Sequence, residues 1–256
     1  MPPSLQVSQL MKHFAGSDRA AVDRLSFEVA AGEFYALLGP NGAGKTTTLR
    51  MISGLLAADH GSITICGVDL AKAPKEAKRV VAYVPDEPML YDKLTPIEYL
   101  ELIAALWDVA PARARSESTR LLELLGLMPH AMQRCETFSR GMRQKLVLAG
   151  ALIRDPKLLI LDEPLTGLDA EAARLAKNLL NAHVERGGSV ILTTHILDVA
   201  ERMAERIGVI KAGRLIVEGT FAELRANAHR GDAATLEDVF LELVSTPEVP
   251  AAGASA

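Results

Sequence analysis

Gly39-Pro40-Asn41-Gly42-Ala43-Gly44-Lys45-Thr46-Thr47 spells G-x-x-x-x-G-K-T with a second threonine behind it. The stretch follows the apolar run Tyr35-Ala36-Leu37-Leu38 and precedes a segment of helical character, Lys45 to about Leu55. Strand, glycine loop and helix in that order give the pattern its physical meaning. Glycines at 39, 42 and 44 let the backbone curl so that several N–H groups converge on an anion. The helix starting at the same place adds unpaired N–H groups and the positive end of its dipole. Lys45 supplies a point charge for the β- and γ-phosphates, and the Thr46 hydroxyl a ligand for Mg²⁺. All nine residues, 39 to 47, are candidate contacts to a nucleoside triphosphate.

Outward from this loop the chain alternates. Strand-like stretches lie near Leu5–Leu10 and Ala21–Val29 before it, and around Ser62–Ile65 and Val80–Val84 after it. From about Glu87 to Asp155 the texture is helical. Thr95-Pro96-Ile97-Glu98 reads as a capping box with proline at the first helical position. Behind it Ile97, Leu100, Ile103, Ala104 and Trp107 recur at helical spacing. Gly126 closes the next helix, and Asp155-Pro156 a third. Leu158-Leu159-Ile160-Leu161 is then apolar without interruption, as in a strand buried on both faces. A helix over about Ala170–Glu185, a strand Val190–Leu192, a helix Ile196–Ala204 and strands Ile207–Ile210 and Leu215–Val217 follow. Leu236, Val239, Phe240 and Leu243 form a last amphipathic stripe, read as packing.

The alternation predicts an α/β fold. A mainly parallel sheet carries helices on both faces, antiparallel strands stand at the N-terminal end, and an α-helical subdomain is inserted. The expected organisation is one domain over 1–244. Its core is 1–86 and 156–222, the helical subdomain 87–155, the C-terminal helix 223–244, and 245–256 a disordered tail.

Composition narrows the function classes. Of 256 residues 49% are hydrophobic, enough for a large core. No apolar run approaches the roughly 18–20 residues of a membrane span, and no signal-peptide pattern opens the chain. Cys66 and Cys135 lack metal or redox spacing, which fits a reducing interior. A net charge of −4 without a basic stripe argues against nucleic acid as the main ligand.

A second chemical feature follows the buried run: Asp162-Glu163-Pro164. An acidic residue emerging there can hold Mg²⁺ or its water shell, and its neighbour can polarise an attacking water. Phe138-Ser139-Arg140-Gly141-Met142-Arg143-Gln144 sits in the helical part, with Ser139 a good N-cap. On its own it is either an ordinary helix start or a second phosphate-reading helix N-terminus.

Taken in order, these motifs resemble the nucleotide-binding subunit of an ATP-binding cassette (ABC) transporter, over nearly the whole chain to about Val244. Residues 39–47 resemble Walker A, and Leu158–Glu163 resemble Walker B with its catalytic Glu163. Phe138–Gln144 resemble the signature, Thr166-Gly167-Leu168-Asp169 the D-loop, and Thr194-His195 the switch histidine. Phe14 falls where the family has an aromatic that stacks on adenine.

The resemblance implies ATP and Mg²⁺ as ligands. Glu163 and His195 would be catalytic, Thr46 and Asp162 would hold the metal with Asp86 as a third candidate, and Asp169 would serve in the D-loop. Ser139 and Gly141 would touch the γ-phosphate held by a second cassette, expected as a homodimer. It further implies a separate transmembrane permease and a peripheral place at the cytoplasmic face of the membrane. Pro88–Thr95 and Leu236–Phe240 resemble the drug, lipid or polysaccharide exporter branch, so export is expected over import. A cassette acting on ribosomes or DNA is the alternative; it would carry tandem cassettes, basic linkers or coiled-coil insertions. A P-loop kinase or GTPase leaves Ser139, Gly141 and His195 together without a role.

Two positions depart from the family pattern. Where the signature is Leu-Ser-Gly-Gly-Gln, this chain has Phe138-Ser139-Arg140-Gly141-Met142. Arg140 and Met142 resemble the daunorubicin-resistance-like branch. Where the family usually has Gln, sometimes Glu, this chain has Asp86, shorter and charged.

Overall fold

A computed structural model describes residues 2–228, 231 and 234–245. Its strands form two sheets. The first is antiparallel, in the order β2 (Val22–Val29), β1 (Leu5–Lys12), β4 (His60–Ile65), β5 (Val68–Asp69). The second runs β10 (Arg214–Gly219), β9 (Arg206–Lys211), β3 (Phe34–Leu38), β8 (Ser189–Thr193), β7 (Leu158–Asp162), β6 (Val81–Val84). Every pairing in it is parallel except the β9–β10 hairpin, turned at Ala212-Gly213.

The uninterrupted apolar run at 158–161 is explained by what lies on either side. Leu158 and Ile160 pack with α1 (Lys45–Ile52) and the antiparallel sheet. Leu159 and Leu161 pack with Leu100, Leu121 and Leu146 of the helical segment. Strand side chains alternate faces, so a strand between two apolar layers has no polar position to spare. Full burial of each such side chain contributes about 1.5–3 kcal/mol.

The helical segment is built as its caps dictate. α3 (Pro96–Leu106) opens on the capping box: Glu98 donates its backbone N–H to the Thr95 hydroxyl, and the Glu98 carboxylate accepts from the Thr95 N–H at 2.8 Å. α4 (Pro111–Leu124) gives way to Gly126 in the left-handed region, φ 64°. α5 (Arg140–Leu152) starts under Ser139, whose hydroxyl accepts from the Met142 N–H. Beyond β7, α6 (Ala170–Glu185) begins at Asp169, and α7 (Leu197–Met203) lies between β8 and β9.

The structure departs from the sequence expectations in several places. Helix α1 ends at Ile52 rather than near Leu55, because Gly54 turns the chain at φ 69°. β5 and the short helix α2 (Pro74–Arg79) were not expected. The single helix expected over 223–244 is two: α8 (Phe221–Asn227), with its own capping box at Thr220 and Glu223, and α9 (Leu236–Ser245). Trp107 leaves the α3 stripe as a C-cap residue, 40% exposed, with the Arg154 guanidinium 3.5 Å from its ring centroid. The stripe of α9 does pack: Leu236 and Val239 are buried, Phe240 and Leu243 lie against the same cluster. The tail expected to be disordered lies, beyond Ser245, outside the described residues.

Candidate functional site

The C-terminal ends of β3 and β7 place residues 41–47 and Asp162-Glu163 around one cavity of about 280 Å³. Ala21, Asn41 to Thr47, Asp86, Asp162 and Glu163 line it. The loop needs its glycines. Gly44 has φ 104°, and a Cβ there would stand 2.3 Å from the Ala21 carbonyl oxygen; at Gly39 a Cβ would come as close to the Ile210 oxygen. The Lys45 ammonium donates to the carbonyls of Gly39 at 2.7 Å and Pro40 at 3.2 Å, which curls the loop around its own cation. Burial lowers the Lys45 pKa from its ordinary value, and the nearby charges of Glu163 and Asp162 oppose that shift.

Across the cavity stands a carboxylate cluster. Asp162 is buried; its Oδ1 accepts from the Thr193 hydroxyl at 2.6 Å and its Oδ2 lies 3.5 Å from the Tyr83 hydroxyl. Burial first, and then the Asp162 charge, push Tyr83 up to about 12, so it remains a proton donor at neutral pH. Glu163 sits in the left-handed region at φ 50°. For a non-glycine residue that backbone costs about 1 kcal/mol or more and marks functional turns. Its N–H donates to Thr193, to the backbone oxygen at 3.1 Å and to the hydroxyl at 3.3 Å. His195 closes the cluster, with Nδ1 2.8 Å from Glu163 Oε2.

The other sequence candidates fall around this centre. Phe14 is 44% exposed, on the connection between β1 and β2 whose far end, Ala21, lies against Gly44. It does not line the cavity. Asp169 caps α6, its Oδ1 accepting from the Ala172 N–H at 2.7 Å. Ser139 and Gly141 lie at the head of α5, also away from the cavity. A Cβ on Gly141 would stand 3.3 Å from the Gly167 oxygen, so the signature-like turn packs against the D-loop-like turn of its own chain. Asp86 does line the cavity, and it is paired with Arg140 at 3.3 Å.

Sequence reasoning did not find Tyr83, Thr193 or the Asp86–Arg140 pair. Thr193 was legible in principle: parallel pairing of β7 with β8 puts it opposite Asp162.

The arrangement suits a polyphosphate. The Lys45 cation shares the cavity with two oxygen-bearing side chains, Thr46 and Asp162, of the kind that fit a hard divalent metal. Among the described residues no cluster of three or more His, Cys, Asp or Glu could hold a metal alone.

Comparison with known proteins agrees. Residues 22–166 match the ABC transporter family. The chain is 42% identical over 210 residues to Nod factor export ATP-binding protein I of Paraburkholderia xenovorans (strain LB400), covering 82% of this chain and 69% of that one. It is 38% identical over 224 residues to the daunorubicin/doxorubicin resistance ATP-binding protein DrrA of Streptomyces peucetius, covering 88% and 67%. It thus spans about two thirds of the length of such relatives. A solved structure of the ATP binding subunit of an ABC transporter superposes with TM-score 0.88 at 33% identity, over 93% of this chain and 98% of that one. The ATP-binding cassette MJ0796, solved as a dimer bound to ADP and Pi, shares the fold at TM-score 0.77 and 23% identity, over 84% and 98%.

Proposed function

We infer the activity from two facts together: this chain belongs to the ABC transporter family, and one cavity joins Lys45 to Asp162 and to Glu163, whose carboxylate is held by His195. The chain is the ATP-binding, ATP-hydrolysing subunit of an exporter-type ABC transporter. Among the described residues no helix is long and apolar enough to cross a membrane. We propose that transport runs through a separate permease, with this subunit at the membrane's cytoplasmic face, a reading its relatives' export names support. Export is favoured because the relatives above are named for Nod factor export and for drug resistance. Nothing in those names favours the ribosome- or DNA-directed alternative.

The residue roles are as follows. Residues 39–47 cradle the triphosphate, with backbone N–H groups at every position but Pro40, and Lys45 leaves its two carbonyl partners to neutralise the β- and γ-oxygens. Phe14 lies under the adenine. Thr46 and Asp162 would hold Mg²⁺, which would supply positive charge against the negative charge developing on the transferred phosphoryl group. Glu163 accepts the proton of the attacking water. His195 holds the Glu163 carboxylate and senses the γ-phosphate.

Phosphoryl transfer asks mainly for positioning and charge, which these groups supply without a covalent intermediate. The core segments 1–86 and 156–222 carry this half of the site. The helical segment 87–155 carries Ser139 and Gly141 to the triphosphate of a second copy, with Asp169 near the junction. ATP thus acts by favouring the paired state, and hydrolysis releases it. The test is steady-state hydrolysis by the purified chain with ATP and Mg²⁺. Turnover that Glu163→Gln abolishes supports the reading, and turnover that survives the change removes Glu163 from it.

A further inference from the structure

Asp86 faces two ways. It lines the cavity of Lys45, Asp162 and Glu163. It also lines a neighbouring cleft whose other wall is Phe138, Arg140 and Arg143. Its Oδ1 accepts a hydrogen bond from Arg140 Nη2 at 3.3 Å, across 54 residues of sequence. Arg140 is the first residue of α5, directly behind Ser139. Its stem lies on Gly167, where an added Cβ would meet the Arg140 Cδ at 3.2 Å. One side chain therefore ties the head of the helical segment both to the loop after β6 and to the turn after β7.

We propose that the Asp86–Arg140 ion pair is a brace that holds the head of the helical segment where the structure shows it and opens when ATP is bound and two copies pair. The proposal rests on the pairing of copies put forward above. A triphosphate in the cavity brings several negative charges beside Asp86. That charge draws on Arg140, and the metal travelling with it draws on Asp86, so the ligand weakens the pair from both ends. The side chains are 56% and 53% exposed. An ion pair so placed shifts an equilibrium by about two- to fivefold at most, which suits a contact that ligand binding must break. Asp86 and Arg140 are positioning residues here: the pair sets where Ser139 and Gly141 stand.

The opposite sign belongs to a different arrangement, in which the Arg140 guanidinium reaches the partner's phosphates and its loss weakens pairing. The experiment separates them. In a Glu163→Gln background, dimer formation is followed by size-exclusion chromatography with light scattering against ATP and Mg²⁺ concentration. Adding Arg140→Gln is expected to lower the ATP needed for half-dimerisation about two- to fivefold, while Arg140→Lys stays close to the parent. In nucleotide-free protein, Arg140→Gln and Asp86→Asn each speed amide hydrogen exchange over residues 138–144, and the double variant is no faster than either.

A higher ATP requirement for Arg140→Gln, an unchanged one, unchanged exchange, or additive effects in the double variant would each overturn the brace. If the Glu163→Gln parent stays monomeric at saturating ATP, the pairing reading fails, and the nucleotide-free exchange still decides whether the brace exists.

Discussion

A single oxygen of Glu163, Oε2, lies 3.1 Å from the backbone nitrogen of His195 and 2.8 Å from its ring Nδ1. With Glu163 ionised, both nitrogens donate to it, which fixes the proton on Nδ1 and leaves Nε2 free. The carboxylate is also aimed by a left-handed backbone, so its direction is set from two sides. His195→Ala removes the ring donor and keeps the backbone one. The expected outcome is a kcat about ten- to hundredfold lower with ATP affinity little changed, since the loss is of positioning. Comparing steady-state hydrolysis with equilibrium nucleotide binding checks the split. A proportional loss of affinity would place His195 in binding instead.

Among the described residues Lys45 has no acid partner within salt-bridge distance; its ammonium is satisfied by the Gly39 and Pro40 carbonyls. Lys45→Ala leaves those carbonyls open to water and removes the cation from the phosphates. Charge-assisted hydrogen bonds contribute about 1.5–3 kcal/mol, so ATP affinity is expected to fall about ten- to hundredfold. Titration calorimetry reads this directly, and unchanged affinity would contradict the loop's assigned role.

At Gly44 the loop has no room. Gly44→Ala combines φ 104° with a Cβ 2.3 Å from the Ala21 oxygen, so the turn between β3 and α1 must move. The expected result is loss of ATP binding with a stability decrease of about 1–3 kcal/mol, measured by denaturant unfolding. Normal binding would mean that the loop tolerates a different path.

His183 predicts a pH dependence of stability. The ring is buried beside Gly188, and neither nitrogen has a hydrogen-bond partner among the described residues. Burial, reinforced by Arg186, lowers its pKa from the ordinary value. The unfolded chain therefore binds this proton at a higher pH than the folded one. The stabilisation from keeping the ring neutral is complete above about pH 6.5 and is lost as pH falls toward the folded pKa, with a slope of at most about 1.4 kcal/mol per pH unit. Denaturant unfolding between pH 7 and pH 5 (roughly the window in which unperturbed histidine titrates) should show a shallower slope for His183→Leu than for the parent. Equal slopes would remove His183 as the cause.

Much of the chemistry was legible because it is local. The loop at 39–47, the run at 158–163 and the caps at Thr95 and Ser139 each depend on spacing within a few residues. The structure builds both caps as the spacing demands. What stayed hidden either lacked a pattern or lay between distant segments. β5 is two residues long, and α2 buries only Ala77, so neither carries a periodic apolar face. Thr193, Tyr83 and Asp162 meet only once the strand order is known, and alternation of strands and helices does not fix that order. Asp86 and Arg140 stood out separately as departures from a family pattern. Their pairing needed the fold.

The central claim is that the cavity of Lys45 and Glu163 is half of a site completed by a second copy. Size-exclusion chromatography with light scattering on the Glu163→Gln variant, with and without ATP and Mg²⁺, tests it most directly. The account predicts a monomer that becomes a dimer only with ATP and hydrolyses it at least about a hundredfold more slowly than the parent. A variant that remains monomeric at saturating ATP, or that hydrolyses at the parent's rate, would contradict it.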